Sequence, residues 1–124
     1  MNKREIKFRA WHKNANYMCM NVTTNLLNKE YLVFMQYTGL KDKNSQEIYE
    51  GDILRCKCLK RNSYEDVKER FKYKNSLVEW WSSGVNLGYR LKDSKGKTMM
   101  IKPSSLKSME VEVIGNVYEN PELL

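Results

Sequence analysis

The spacing of short apolar and aromatic runs is the feature that most constrains this sequence. Apolar residues alternate with polar ones or form brief runs, and clusters of Gly, Asn, Asp, Ser or Pro separate them. Such alternation places successive side chains on opposite faces of a β-strand, while the separating residues favour turns. About seven to nine short strands are therefore expected. The clearest candidates are residues 6–11, 17–20, 31–37, 53–60, 77–81, 86–91, 98–101 and 111–118.

The first candidate strand shows the alternation most clearly. Apolar Ile6, Phe8 and Ala10 are interleaved with basic Lys7 and Arg9. A half-buried strand would turn the first three inward and the two cations outward.

Two turns are predicted in the middle of the chain. Residues 38–45 have turn chemistry almost throughout, because Gly39 can adopt a positive φ and Asp42 can accept hydrogen bonds from its own backbone. Gly51 and Asp52 form a second, tighter turn that leads into a strand beginning at Ile53.

Length and composition indicate one domain, residues 1–124. A chain of 124 residues is near the commonest domain size, and its eight Tyr, three Trp and three Phe favour strands. The expected fold is mainly β, either all-β or α+β. It would be a compact, small, barrel-like antiparallel sheet domain with one or two short helical turns, one of them at residues 103–106, where Pro103 suits a first helical position.

Compartment follows from what the sequence lacks. No apolar run approaches the roughly 20 residues of a membrane span, and no apolar segment of a signal peptide follows the charged residues at the start. Three cysteines, an odd number, fit a reducing compartment. We therefore expect a cytoplasmic protein that makes no contact with a membrane.

The formal net charge of +7 is unevenly distributed. Residues 55–74 contain eight Lys or Arg against three Asp or Glu, whereas residues 110–124 contain four Glu and no cation. A polarised positive charge is typical of proteins with an acidic partner, nucleic acid above all. The same charge is also typical of a surface that only keeps a protein soluble.

The basic stretch at 57–74 is the strongest candidate for a binding surface. Its cations can meet phosphates and its rings can stack on unpaired bases, although in a strand the rings can equally belong to the core. We favour a basic hairpin with 67–73 as its second arm over a short helix beginning at Ser63. The candidate nucleic-acid-binding residues are Lys57, Lys60, Arg61, Lys68, Arg70, Phe71, Lys72, Tyr73 and Lys74.

Catalytic, cofactor and metal sites are not evident in the sequence. None of the six glycines falls in a phosphate-binding pattern. His12, the single histidine, lies in a turn-like stretch where a surface role is ordinary. Cys56 and Cys58 have the wrong spacing for zinc and are expected to pack on one strand face. We predict no catalytic residue, no cofactor and no metal.

One group of carboxylates leaves an enzymatic alternative open. Glu47, Glu50 and Asp52 lie close together around a turn, where a pair of acids can perform acid–base chemistry. Such residues more often bond to local backbone N–H groups, and Asp52 beside Gly51 fits that role.

Three stretches, at the beginning, middle and end of the chain, share the pattern of a known family. They are residues 4–11 (REIKFRAW), 35–54 (MQYTGLKDKNSQEIYEGDIL) and 111–124 (VEVIGNVYENPELL). Their order and spacing resemble the YopX family of small phage and prophage proteins over effectively the full length. The chain departs from the family at His12, where many relatives have Asp, and in residues 56–76, which are longer and more basic than usual.

The resemblance implies a non-enzymatic accessory protein of phage or prophage, made in the bacterial host cytoplasm and of undefined molecular activity. It supplies no catalytic residue and no cofactor. We expect such a protein to bind a host or phage macromolecule, and the resemblance leaves a homo-oligomer open. The alternatives are a nucleic-acid-binding protein that uses residues 57–74, and an enzyme that uses Glu47, Glu50 or Asp52.

Overall fold

The computed structural model describes residues 5–59 and 71–124, and these are mostly β. They contain nine strands, one short α-helix and two 3-10 turns, at Thr24–Leu26 and Pro121–Leu123. The elements are β1 (Phe8–His12), β2 (Tyr17–Val22), β3 (Leu32–Lys41), β4 (Glu47–Tyr49), β5 (Asp52–Leu59), β6 (Phe71–Ser82), β7 (Leu87–Asp93), β8 (Thr98–Met100), α1 (Pro103–Ser108) and β9 (Glu112–Asn116).

The strands pair into two antiparallel sheets, in the orders β2-β1-β3-β4 and β8-β7-β6-β5-β9. Together they form a curled half-barrel. The prediction of a mainly β, barrel-like antiparallel fold is confirmed. The predicted helical turn is also present, because α1 begins at Pro103. No helix of the described residues is long and apolar enough to cross a membrane.

The hydrophobic core lies on one face of the larger sheet, beneath β4 and α1. Burial there removes aliphatic side chains from water, which is the main favourable term in folding. Cys56 is fully buried and Cys58 packs against the cluster, as expected for thiols on one strand face. The buried members are Ile48, Leu54, Cys56, Val78, Leu91, Leu106 and Val111.

The predicted facing of the first strand is wrong at two positions. Arg9 is buried, with 7% of its surface exposed, whereas Ile6 is 63% exposed. The guanidinium of Arg9 is held inside because Asp52, from the other sheet, neutralises it at 2.7 Å. Ala10, on the opposite face, is fully buried as expected. Alternation predicts which side chains share a face, but it does not show that a distant carboxylate allows a cation on the other face to be buried as well.

The turn predicted at residues 38–45 begins later than expected. Residues 38–41 belong to β3, and the positive φ of Gly39 (86°) accompanies a register irregularity between β3 and β4. Asp42 then forms the turn as predicted, since its Oδ1 accepts the N–H groups of Asn44 and Gln46 at 2.8 Å. Its Oδ2 accepts the N–H of Val113 at 2.9 Å, which ties the turn to β9.

Strands β5 and β6 pair in register from Ile53 opposite Leu77 to Leu59 opposite Phe71. The basic hairpin prediction is therefore confirmed for residues 71–73 of its second arm. Residues 67–70, and the alternative helix at residues 63–66, lie outside the described residues.

Candidate nucleic-acid interface

The pairing of β5 with β6 separates the predicted basic residues onto two faces. Lys57 lies opposite Tyr73 in the ladder, so the two share a face. Strand alternation adds Arg55 and Phe71 to the same face and places Lys72 and Lys74 on the other one. We call Arg55, Lys57, Phe71 and Tyr73 the cation–aromatic face.

Both rings of the cation–aromatic face are open to solvent. Phe71 is 46% exposed and Tyr73 is 55% exposed, so neither ring belongs to the core. The guanidinium of Arg55 lies 4.0 Å from the centre of the Tyr73 ring, and the Lys57 ammonium lies 4.4 Å from that of Phe71. Both distances are within the range of cation–π attraction.

Two of the predicted lysines already have carboxylate neighbours. Lys57 forms an ion pair with Glu110 at 3.2 Å, and Lys74 forms one with Asp93 at 3.4 Å. Arg55 forms no ion pair with any carboxylate of residues 5–59 and 71–124. Arg55 therefore presents the more available positive charge of the face.

The nine predicted binding residues thus have three different placements. Lys57, Phe71 and Tyr73 come together, while Lys72 and Lys74 point to the opposite side of the hairpin. Lys60, Arg61, Lys68 and Arg70 lie outside the described residues. The predicted set omits Arg55, although its two-residue spacing from Lys57 is a signal that could have included it.

The three carboxylates of the enzymatic alternative all have bonding partners inside the protein. Glu47 forms an ion pair with Lys7, and Oε1 of Glu50 accepts the Gln36 N–H at 2.9 Å. Asp52 accepts the Arg9 guanidinium and the Tyr49 N–H, both at 2.7 Å.

Burial raises the pKa of both Glu50 and Asp52 above the ordinary carboxyl range. At Glu50 the hydrogen bond from the Gln36 N–H opposes this effect, and at Asp52 the Arg9 charge does so.

The histidine and cysteines have structural surroundings. Nδ1 of His12 accepts the Ala15 N–H at 3.0 Å, and its ring stacks on Tyr17. Burial raises the pKa of the Cys56 thiol to about 11, so this thiol stays protonated and unreactive near neutral pH. Residues 5–59 and 71–124 contain no group of three His, Cys, Asp or Glu side chains that could hold a metal ion.

A sequence profile described as "YopX protein" matches residues 19–124. The chain belongs to the YopX family. The matched range contains the middle and final stretches noted in the sequence, whereas the opening stretch at 4–11 precedes it. None of the curated proteins compared with the chain matches it.

This YopX-family chain is also similar to a solved structure. The crystal structure of protein EF1440 from Enterococcus faecalis aligns with a TM-score of 0.63 and 25% sequence identity. The alignment covers 98% of this chain and 99% of that one. The likeness therefore extends through both sheets.

Proposed function

We propose that this YopX-family chain is a non-enzymatic accessory protein of a phage or prophage that binds single-stranded nucleic acid in the bacterial cytoplasm. One observation carries the proposal: two solvent-exposed rings lie side by side on the cation–aromatic face, each within 4.4 Å of a cation. The net charge of +7 has the sign that such a partner requires.

The chemistry of the face matches a single strand better than a duplex. Unpaired bases can stack on Phe71 and Tyr73, at about 1–3 kcal/mol per base. In a duplex the bases are stacked on one another and cannot reach a ring lying on a sheet surface. Arg55 can stack and bind phosphate at once, because its planar guanidinium serves both purposes.

Glu110 limits what Lys57 can contribute. A phosphate must compete with this carboxylate, which is already 3.2 Å from the ammonium. Arg55 and the two rings are therefore expected to supply more of the affinity than Lys57.

The experiment is fluorescence anisotropy with labelled oligothymidylate of about 20 nucleotides, a length longer than one small domain covers. Affinity should fall steeply as salt rises, because bound cations displace counterions from the phosphates. Phe71→Ala and Tyr73→Ala should each weaken binding by about fivefold or more, the lower end of the stacking range. Tyr17→Ala is the matched control, since Tyr17 is 51% exposed on the other sheet.

Two results would contradict this function. One is an affinity that is insensitive to salt. The other is an equal loss in Tyr17→Ala and Tyr73→Ala, which would mean that the cation–aromatic face has no special part. If the protein bound a host or phage protein and no nucleic acid, the accessory role would stand and the proposed partner would be wrong.

The non-enzymatic part of the proposal is supported by the bonding of the carboxylates. Glu47, Glu50 and Asp52 each accept a hydrogen bond or ion pair from a neighbour within the protein. Such bonds are typical of carboxylates that hold a turn and join two sheets.

We also propose that the protein associates with further copies of itself. The loop between β6 and β7 carries Val85, 89% exposed, and the adjoining Leu87, 69% exposed. Aliphatic side chains exposed together favour burial against another protein surface, and a second copy of this chain supplies the same surface.

A further inference from the structure

One short segment of the chain lies between the two sheets and bonds to both. The N–H of Glu50 donates to the carbonyl of Gln36 in β3 at 3.0 Å, and the N–H of Gly51 donates to the carbonyl of Val78 in β6 at 2.8 Å. Residues 50–51, the turn between β4 and β5, therefore bridge the edges of β3 and β6, while the carbonyl of Gly51 accepts the N–H of Val117 at 2.8 Å. Each edge lies one hydrogen-bonded strand spacing from residues 50–51, so the gap between the two edges is wide enough for one strand.

Beyond Gly51 the two edges continue without a strand between them in the described residues. On β3, Tyr31 and Tyr37 bond towards β1, so Phe34, an odd number of residues from each, directs its N–H and C=O away from β1. Strand β4 pairs with β3 only from Tyr37 onward.

The facing edge of β6 is open in the same way. Trp80 is two residues from Val78, so its backbone groups point to the side on which Val78 meets Gly51. The ladder between β5 and β6 ends at Leu77. Backbone donors and acceptors at Phe34 and Trp80 thus face one gap from opposite sides.

The gap is a groove of about 300 Å³ with largely apolar and aromatic walls. Phe34 and Met35 line one side, Trp80 lines the other, and Val117 and Tyr118 also contribute. Trp80 is 51% exposed although it packs edge-on against Tyr89, and Tyr118 is 37% exposed although it stacks on Trp11. Side chains entering the groove would therefore meet the exposed parts of both rings.

Glu50 gives the groove a negative charge. Its Oε1 accepts the Gln36 N–H at 2.9 Å, and it forms no ion pair with any cation of the described residues. Glu50 and Tyr118 line the groove together, and the Glu50 charge contributes, after burial, to the raised pKa of Tyr118. Glu79, the other carboxylate of the groove, is bonded to Arg90 at 2.6 Å.

We propose that this groove binds an extended peptide segment of a partner protein, which adds as a strand in line with residues 50–51 and places a Lys or Arg side chain against Glu50. The backbone groups at Phe34 and Trp80 that face the groove match those of an added strand, and a small organic cation would leave them without such partners. Because Glu50 has no cationic partner among the described residues, a Lys or Arg in that strand is its matching partner. The apolar walls accommodate its neighbouring side chains.

The test begins with selection of random heptapeptides displayed on filamentous phage against the immobilised full-length protein. Selected peptides are then synthesised with a fluorescent label, and their affinities are measured by anisotropy. We expect Lys or Arg between β-branched residues. Glu50→Gln keeps an oxygen that can accept the Gln36 N–H, and it should weaken binding about tenfold because a charge-assisted bond is lost.

Three controls establish whether the peptide occupies this groove as a strand. Glu122→Gln removes an exposed carboxylate outside the groove lining and should change nothing. Peptides N-methylated at alternate residues should lose binding in both methylation registers, since successive N–H groups of the added strand face β3 and β6 in turn. Phe71→Ala and Tyr73→Ala should leave peptide affinity unchanged, which separates this inference from nucleic-acid binding.

Several outcomes would overturn the inference. The first is no enrichment over the bare support. The second is equal affinity for the protein and its Glu50→Gln variant, with both folded by circular dichroism. The third is unchanged affinity in either N-methylation register. Competition of the peptides with self-association measured by light scattering would make a second copy the occupant and would also overturn it.

Discussion

Among single residues, Arg9 and Asp52 form the most buried charged contact between the two sheets. Arg9 belongs to β1 and Asp52 to β5, and the side chain of Asp52 is only 2% exposed. The Arg9 guanidinium also donates to the Glu50 carbonyl at 3.2 Å and lies over the Tyr49 ring. Its Nε has no hydrogen-bond partner in the described residues, so the pair is not fully satisfied.

Removing one member of this pair should be costly. Arg9→Met leaves Asp52 buried without its cation, and about 3–5 kcal/mol of the free energy of unfolding should be lost. The double variant Arg9→Met with Asp52→Asn should recover much of this loss, because the buried charge is then gone while an oxygen for the Tyr49 N–H remains. Urea denaturation of the wild type, both single variants and the double variant measures the coupling; additive losses would contradict it.

Glu50 should make stability depend on pH in a predictable direction. Burial raises its folded pKa above the ordinary 4.5. A raised folded pKa stabilises the protein at pH values below the unfolded pKa, and that contribution is lost as pH rises through the folded value. Glu50→Gln removes the charge, so the variant should match the wild type near pH 4 and become the more stable of the two towards pH 7.

Chemical denaturation at several pH values tests this prediction. Glu122→Gln, an exposed carboxylate substitution, is the matched control. A difference between the wild type and Glu50→Gln that stays constant from pH 4 to pH 7 would show that burial does not perturb this carboxyl.

Among the elements, the turn between β4 and β5 connects the two sheets. Gly51 adopts a φ of +85° there, and a Cβ at this position would lie 2.9 Å from Sδ of the buried Met35. The turn positions Glu50 towards β3 and Asp52 towards Arg9. Its geometry therefore determines both the ion pair between the sheets and the end of the groove.

Gly51→Ala should lower the free energy of unfolding by more than the roughly 1–2 kcal/mol of left-handed backbone strain, because Met35 must also move. Gly84→Ala is the matched control: Gly84 has the same φ of +85°, and no atom lies within 4 Å of its Cβ position. Thermal and urea denaturation should rank Gly51→Ala as the less stable variant. Equal losses would mean that the contact with Met35 is of no consequence.

For the whole molecule, self-association is the property to measure. Light scattering coupled to size-exclusion chromatography should give a mass above the 14.8 kDa of one chain. Leu87→Glu places a charge on the exposed apolar loop and should return the mass towards that of the monomer. Glu122→Gln should leave the mass unchanged. A wild-type mass of 14.8 kDa at every concentration would contradict the prediction.

Much of the fold was predictable because its signals are local. Three kinds of signal affect only the backbone within a few residues of their position. They are the alternation of strand residues, turn residues such as Asp42 and Gly51, and Pro103 at the start of a helical turn. The exposure of Phe71 and Tyr73 was not predictable, since either face of a strand can be the buried one. The core lies on the face of the hairpin that carries Cys56, and this placement leaves Phe71 and Tyr73 on the exposed face.

The sequence by itself determined a mainly β domain of the YopX family and a basic, aromatic hairpin, because residue type and spacing carry that information. Tertiary structure decided which cations remain available, since Glu110 and Asp93 approach Lys57 and Lys74 from elsewhere in the chain. It also decided that Arg9 is buried and that β3 and β6 leave a groove. These features depend on contacts between residues far apart in sequence, and local periodicity does not encode such contacts.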